Sequence, residues 1–329
     1  MLMVRRSRIV GTGGYVPARV VTNEELAGPA GMTPAAIYRR TGIRERRWAA
    51  PDEATSDLAL QATTAAIGVA GVRAAALDAI ILSTTSPDTP MPSSACHLQR
   101  MLGAKRAFAF DLAASCSGFL YALSIGDLMI RLGQADLVLV AAAEVKSRYL
   151  DFRESNTAIL FGDGAGAAVL QNRPNAHGLL TAVMGADGRK ADLLFMAGGG
   201  SRCPATAESV ASGMHYLRME GKETFKNAVQ AMQTAAEEAL RRCEIDISRI
   251  KCLIPHQANR RIIDAVLERL GAKPEQLFVN LHKYGNTSAA SVAIALDEAV
   301  ASGRVQRGDL ILMVVFGAGL TWGAAVIEW

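Results

Sequence analysis

The 329-residue sequence predicts an α/β protein written twice, with halves at roughly 1–172 and 173–329. Short β-branched runs alternate with longer helical patterns, the signature of sheets covered by helices. A series of motifs recurs in the same order at a separation of about 170 residues, too long for a solenoid and suited to a two-fold pseudosymmetric pair. Half of the residues are hydrophobic and a fifth charged, with few aromatics and much Ala and Gly, as closely packed helices and sheets require.

In the first half the periodicity predicts a helix over 56–71, a strand over 78–85 and a helix over 93–102. The strand-like "RAFAFDLAA" (106–114), a helix over 117–132 and a strand over 135–144 follow. The second half repeats the order: helix 222–243, strand 250–255, helix 258–270, strand 277–281, helix 287–302 and strand 309–319. "RMLGAK" (100–105) is answered by "ERLGAK" (268–273), "RAFAFDLAASCSGFLYAL" by "EQLFVNLHKYGNTSAASVAIAL", and "ADLVLVAAAE" by "GDLILMVVFGAG". "GTGG" (11–14) and "GDGAGA" (162–167) lack the Lys-Ser/Thr of a phosphate loop and the acidic residue of a dinucleotide motif, so they read as tight turns between strands. The terminal "LILMVVFGAGLTWGAAVIEW" is broken by glycines and reads as two buried strands, not a membrane span.

A net charge of +4 without a basic-aromatic cluster gives no reason to expect a nucleic-acid partner, and no apolar run suggests a membrane one. Five cysteines, an odd number with no C-x-x-C pair, fit reduced thiols. The N-terminus has no apolar run of signal-peptide length, so a cytoplasmic location is expected.

The chemistry gathers at "DLAASCSGFLYAL" (111–123), where a strand runs through Cys116 into a helix. A thiol at a helix N-terminus feels unpaired N–H groups that favour thiolate, whereas a free cysteine is commonly just a small buried hydrophobe. The repeat favours the nucleophile. Where the first half has "SCSG" the second has "KYGNTSAAS" with Asn286, and where the first has "STTSP" the second has "PHQAN" with His256. Strand ends and helix starts at equivalent places in two halves face one crevice, so Cys116, His256 and Asn286 converge. Cys, His and Asn can serve papain-like proteolysis, against which stands the absence of a "CGSCW"-type signature. They can also serve acyl transfer onto Cys followed by carbon–carbon bond formation.

The segments "SCSGFLYAL", "ILFGDGAGAAVL", "PHQANRRII", "YGNTSAASVAIALDEA" and "FGAGLTWGAAVIEW" resemble the β-ketoacyl-acyl-carrier-protein synthase III family of thiolase-fold condensing enzymes. "RTGIRERRWAAPDE" (40–53) and "STTSPDTPMPSSAC" (83–96) match it as well. The resemblance implies a thiolase-like fold of two βαβαβαββ halves stacked in five layers, α-β-α-β-α. It implies that Cys116 takes an acyl group from acyl-CoA. His256 and Asn286 then hold the thioester carbonyl of malonyl-acyl-carrier protein while CO2 leaves, and the enolate attacks the acyl group. The backbone N–H groups of Cys116 and Ala318 form the expected oxyanion hole, Phe316 packs near the thiol, and no cofactor or metal is needed. Met91 falls where a large residue shapes the acyl pocket across a homodimer interface, which predicts a pocket for chains longer than acetyl.

Arg40 matches a CoA-contacting arginine in the family. Gly221, Lys222, Lys226, Asn259, Arg260, Arg261 and Arg269 are the candidates for contacting CoA and an acidic carrier protein. Two positions depart from the family pattern: Ala36 stands where a tryptophan stacks on adenine, and "ESNT" (154–157) replaces a second arginine, which leaves a carrier-bound donor open. His97, His177, His215 and His282 lack metal-ligand spacing and read as structural or surface residues. Besides fatty-acid initiation, the pattern admits a priming enzyme or acyltransferase of a secondary-metabolite pathway, and a catalytically silent carrier-binding scaffold.

Overall fold

The structure, a computed structural model, describes residues 5–173 and 178–329, so His177 lies outside the described residues. The strands are β1 (Ser7–Tyr15), β2 (Arg19–Thr22), β3 (Glu45–Trp48), β4 (Ala79–Ser83), β5 (Phe108–Leu112), β6 (Leu137–Glu144) and β7 (Gly164–Asn172). They continue with β8 (Leu179–Ala186), β9 (Leu194–Phe195), β10 (Arg218–Met219), β11 (Cys252–Pro255), β12 (Leu310–Gly317) and β13 (Thr321–Glu328). The helices are α1 (Asn23–Ala27), α2 (Pro34–Thr41), α3 (Thr55–Ala70), α4 (Ser94–Leu102), α5 (Gly118–Arg131) and α6 (Ser155–Ala158). Then come α7 (Ala207–Ala211), α8 (Gly221–Cys243), α9 (Arg260–Arg269), α10 (Leu281–Tyr284) and α11 (Ala290–Ala301). Left-handed glycines stop two of the predicted helices near where the sequence places their ends, Gly71 after α3 and Gly103 after α4, and Gly42 stops α2, which the sequence reading did not predict.

Two sheets carry the fold. The first has the order β1-β7-β6-β4-β5, the second β8-β13-β12-β11. In each, the first two pairs in that order are antiparallel and the remaining ones are parallel. Strand runs such as Leu137–Glu144 and Leu310–Gly317 are buried on both faces, which explains their unbroken apolar sequence. Helices α3 and α4 cover the outer face of the first sheet, and α8 the outer face of the second with α9 beside it. Helices α5 and α11 lie between the sheets. The architecture is therefore five layers, α-β-α-β-α. The middle layer holds the largest core, including Phe119, Leu123, Val292 and Leu296. Among the described residues no helix is long and apolar enough to cross a membrane.

Two sequence expectations are corrected here. The glycine runs at 11–14 and 162–167 are not tight turns: Gly11 and Gly13 lie within β1, and Gly164 and Gly166 within β7. A Cβ on Gly13 would sit 2.2 Å from the Ala62 carbonyl oxygen of α3, and one on Gly166 would sit 2.5 Å from Cβ of Ala293 in α11. The glycines let helices lie directly on the sheet. Residues 277–281 do not form a strand. Leu277 makes a single parallel bridge to Leu253, after which the chain turns into α10. The Gln257 side chain accepts the N–H groups of Asn280 and Leu281 at 3.2 Å each, so a side chain satisfies donors that a strand ladder would otherwise use.

Candidate active site

Cys116 sits in a tight turn, Ser115–Ser117, between β5 and α5. Ser115 has φ +48°, a left-handed conformation that costs a non-glycine residue energy and throws the next side chain out of line with the strand. Ser288, before α11, has φ +52°. The two differ by 288 − 115 = 173 positions. The same shift carries Ser83, at the end of β4, onto His256 after β11, and Gly118 onto Ser291. Cys116 corresponds on this count to Ala289, and Asn286 lies three residues earlier.

Cys116, His256 and Asn286 are all buried and line one cavity of about 410 Å³. Cys116 also lines a second cavity of about 210 Å³, with Thr85, Lys146, Tyr149, Leu194, Leu217 and Ala318 among its walls. Cys116, like Phe161 and Leu194, thus borders both a wider cavity and a smaller, mainly apolar chamber. Burial pushes the Cys116 thiol up to about 11, whereas the start of α5 two residues on favours thiolate.

The two polar partners are oriented by neighbours. His256 Nδ1 lies 2.7 Å from Ser291 Oγ, which also accepts the Gln257 N–H at 3.3 Å. With the Ser291 hydroxyl donating to Nδ1, the imidazole proton is on Nε2, free for the cavity. Asn286 Oδ1 accepts the Ser288 N–H at 2.8 Å, which leaves the side-chain NH2 as donor. Asn286 is itself fixed by its N–H to Leu160 O (2.9 Å) and its carbonyl to Gly162 N (3.1 Å). Two neutral donors with opposite flanks tied down can meet one developing oxyanion without reorganising.

Burial holds His256 down at about 3, so it is neutral in the folded protein through the physiological range. The unfolded chain, with an ordinary imidazole, binds the extra proton below about pH 6.5, so folded stability is lost as the pH falls from there toward 3. Going from pH 7 to 5 is expected to remove about 2 kcal/mol through this residue alone. Urea titrations of the wild type and His256→Gln at both pH values check it. Equal pH responses in the two chains would contradict the assignment.

Other candidates separate into two groups. Arg40, Gly221, Lys222, Asn259 and Arg261 line the larger cavity, as does Phe316. Arg40 donates to Asn156 Oδ1, and Asn259 donates to the Arg40 carbonyl at 3.2 Å, so this rim is cross-linked between α2, α6 and the start of α9. Arg261 lies 5.6 Å over the Phe225 ring. Arg260, Arg269 and Lys226 do not line this cavity: Arg260 pairs with Asp264 at 2.7 Å, Arg269 bonds Gln233 on α8, and Lys226 is exposed. Ala318 lines the smaller chamber; the positive φ in its loop falls on Gly319, so the alanine sits there without strain. Met91 is 85% exposed and lines neither cavity of its own chain. His282 also lines neither, and Ala36, half-buried on α2, lines neither as well.

Residues that sequence reasoning passed over complete the site. Ser288 and Ser291 were in view within "GNTSAAS", and Gln257 within "PHQAN", but nothing in the string tells which hydroxyl reaches which ring. Glu144, the last residue of β6, and Lys146 just beyond it gave no signal at all. Among the described residues no group of His, Cys, Asp or Glu side chains could hold a metal ion.

Family models match the chain over residues 110–188 (3-oxoacyl-[acyl-carrier-protein] synthase III) and 240–329 (its C-terminal part). A beta-ketoacyl-[acyl-carrier-protein] synthase III of Caldanaerobacter subterraneus subsp. tengcongensis is 48% identical over 321 residues, 98% of this chain and 97% of the relative. One of Roseiflexus sp. is 47% identical over 327 residues, 99% of each. The crystal structure of 3-oxoacyl-[acyl-carrier-protein] synthase III from Aquifex aeolicus superposes with a TM-score of 0.92 at 43% identity, covering 98% of this chain and 100% of that one. The priming beta-ketosynthase of the R1128 polyketide pathway also gives 0.92, at 37% identity, covering 99% and 97%.

Proposed function

The chain belongs to the 3-oxoacyl-[acyl-carrier-protein] synthase III family, and from that membership and the site's geometry we propose an acyltransferase that starts fatty-acid chains by condensation. Cys116 takes the acyl group of an acyl thioester, and the departing thiol carries away the thiol proton. Malonyl-carrier protein then enters through the larger cavity, and its thioester oxygen accepts from His256 Nε2 and the Asn286 amide. Loss of CO2 leaves an enolate held by those donors, whose carbon attacks the acyl-Cys116 carbonyl. The C–C bond forms first, giving a tetrahedral oxyanion; its collapse breaks the C–S bond and releases Cys116 as a thiolate, which takes a proton from solvent, while the β-ketoacyl product stays on the carrier. The N–H groups of Cys116 and Ala318 are the donors proposed for the tetrahedral oxygen.

The observation that carries this reading is that Cys116 borders both cavities while two oriented neutral donors, His256 and Asn286, line the larger one. The acyl chain takes the smaller chamber and the carrier arm the wider channel, whose rim presents Arg40, Lys222 and Arg261 to phosphate or to an acidic carrier. No cofactor enters these steps. A division at 172/173 is supported by the matching strand orders and the 173-residue shift. A homodimer is supported by β5 standing at a sheet edge with Phe108 47% exposed, beside the Met91 loop that leads into α4. A cytoplasmic location accords with the free cysteines.

A second reading, priming of a polyketide-type pathway, is favoured by the 37% identity to the R1128 enzyme and by the absence of an aromatic residue at position 36. The test is incubation with acetyl-, octanoyl- and branched acyl-CoA plus malonyl-carrier protein, read by mass spectrometry. Acyl-Cys116 followed by β-ketoacyl-carrier is expected, with chains longer than acetyl accepted. Acylation without condensation would favour a transferase, exclusive use of acetyl would sink the longer-chain expectation, and neither product would leave the scaffold reading.

A further inference from the structure

A buried polar chain ends on the Cys116 sulfur, and the condensing steps above give it no task. Ser288 Oγ lies 3.4 Å from Sγ, and no other side-chain hydrogen bond reaches this sulfur among the described residues. The same hydroxyl is 3.0 Å from Oε1 of Glu144, a fully buried carboxylate. Glu144 in turn accepts from Ser86 Oγ at 2.6 Å and pairs with Lys146 Nζ at 3.0 Å, and Lys146 donates to Thr85 Oγ1 at 2.5 Å. Four of these side chains, Thr85, Lys146, Ser288 and Cys116, line the smaller chamber.

Ser288 has one hydroxyl proton and two acceptors in reach. With the proton on the Glu144 side, its oxygen accepts the Cys116 S–H and turns the thiol proton away from the channel. Once sulfur is ionised, rotation about Cβ–Oγ brings the hydroxyl proton to the thiolate, while Glu144 keeps Ser86, Thr85 and Lys146 as donors. Lys146 also offsets the repulsion that the Glu144 carboxylate would exert on a thiolate. The remaining groups facing Cys116 are His256 and Asn286 from the second half, Tyr149 across the chamber and the start of α5.

We propose that Ser288, oriented by the Glu144–Lys146 ion pair, is a positioning residue for Cys116, a two-way hydroxyl that accepts from the thiol and donates to the thiolate. The proposal rests on Cys116 being the reactive sulfur, and no atom is gained or lost at Ser288. Its test needs no acyl substrate: the rate of Cys116 alkylation by iodoacetamide across pH 6–10, followed on the Cys116 peptide by mass spectrometry. Wild type is compared with Ser288→Ala and Ser288→Gly. The glycine suits φ +52°, so the second variant removes the hydroxyl without backbone strain. Both variants are expected to alkylate about tenfold more slowly at each pH across that range, since less of the sulfur is thiolate at any given pH. A Ser288→Gly chain that matches the wild-type rate across that range would overturn the proposal, as would a wild-type Cys116 that stays unreactive to pH 10. If instead the slower alkylation is seen but acyl-CoA leaves Cys116 unmodified, the functional reading fails and the role of Ser288 stands.

Discussion

A Cys116→Ala chain is expected to form no acyl-enzyme and to lose condensation by about four orders of magnitude or more. Removing a nucleophile that acts through a covalent intermediate abolishes the two-step route and leaves only binding and oxyanion stabilisation. The substitution is mild for the fold: Cys116 borders two cavities, so loss of its sulfur enlarges existing space without exposing a packed core. Intact-mass spectrometry after incubation with acyl-CoA, alongside a β-ketoacyl-carrier assay, checks it. A variant retaining a tenth of wild-type turnover would remove Cys116 from the mechanism.

His256→Ala is expected to lower the condensation step by about 10²- to 10³-fold, the usual cost of deleting one preorganised donor to a developing oxyanion. Acyl-Cys116 should still accumulate, because the donors act on the second substrate. Asn286→Ala should behave similarly. The double variant should fall short of the product of the two single losses, since both donors serve one oxygen. Rapid-quench assays that pre-form the acyl-enzyme before adding malonyl-carrier protein separate the steps. Equal losses in acylation and condensation would mean that His256 acts on the sulfur instead.

The helices were legible because their signals are local: left-handed glycines close α3 and α4 after long periodic runs. The glycines of β1 and β7 were misread because a glycine needed for a helix to approach a strand looks, in one dimension, like a turn. The false strand at 277–281 has a similar cause: what satisfies its backbone is a glutamine some twenty residues away. Cys116, His256 and Asn286 could be picked out because each stands at a strand end or helix start in a repeated order. Glu144 meets Ser288 across 144 positions of chain, with no motif at either end of the contact, so no periodicity could have paired them. The charged residues split for the same reason: Arg40 and Arg261 reach the channel, while Arg260 turns to Asp264 on its own helix.

Gly317, at the end of β12, lies so close to the cysteine turn that a Cβ there would be 2.6 Å from the Cys116 nitrogen. Thr321, on the following strand, donates to the Ala114 carbonyl at 3.1 Å on the other side of the same turn. The half that bears the thiol and the half that bears its partners are therefore interlocked at the reacting atoms, with no slack for a hinge. Catalysis here cannot proceed by clamshell closure over a substrate. A substrate that reaches Cys116 must therefore do so through the cavities that this residue lines, without the two halves parting around it.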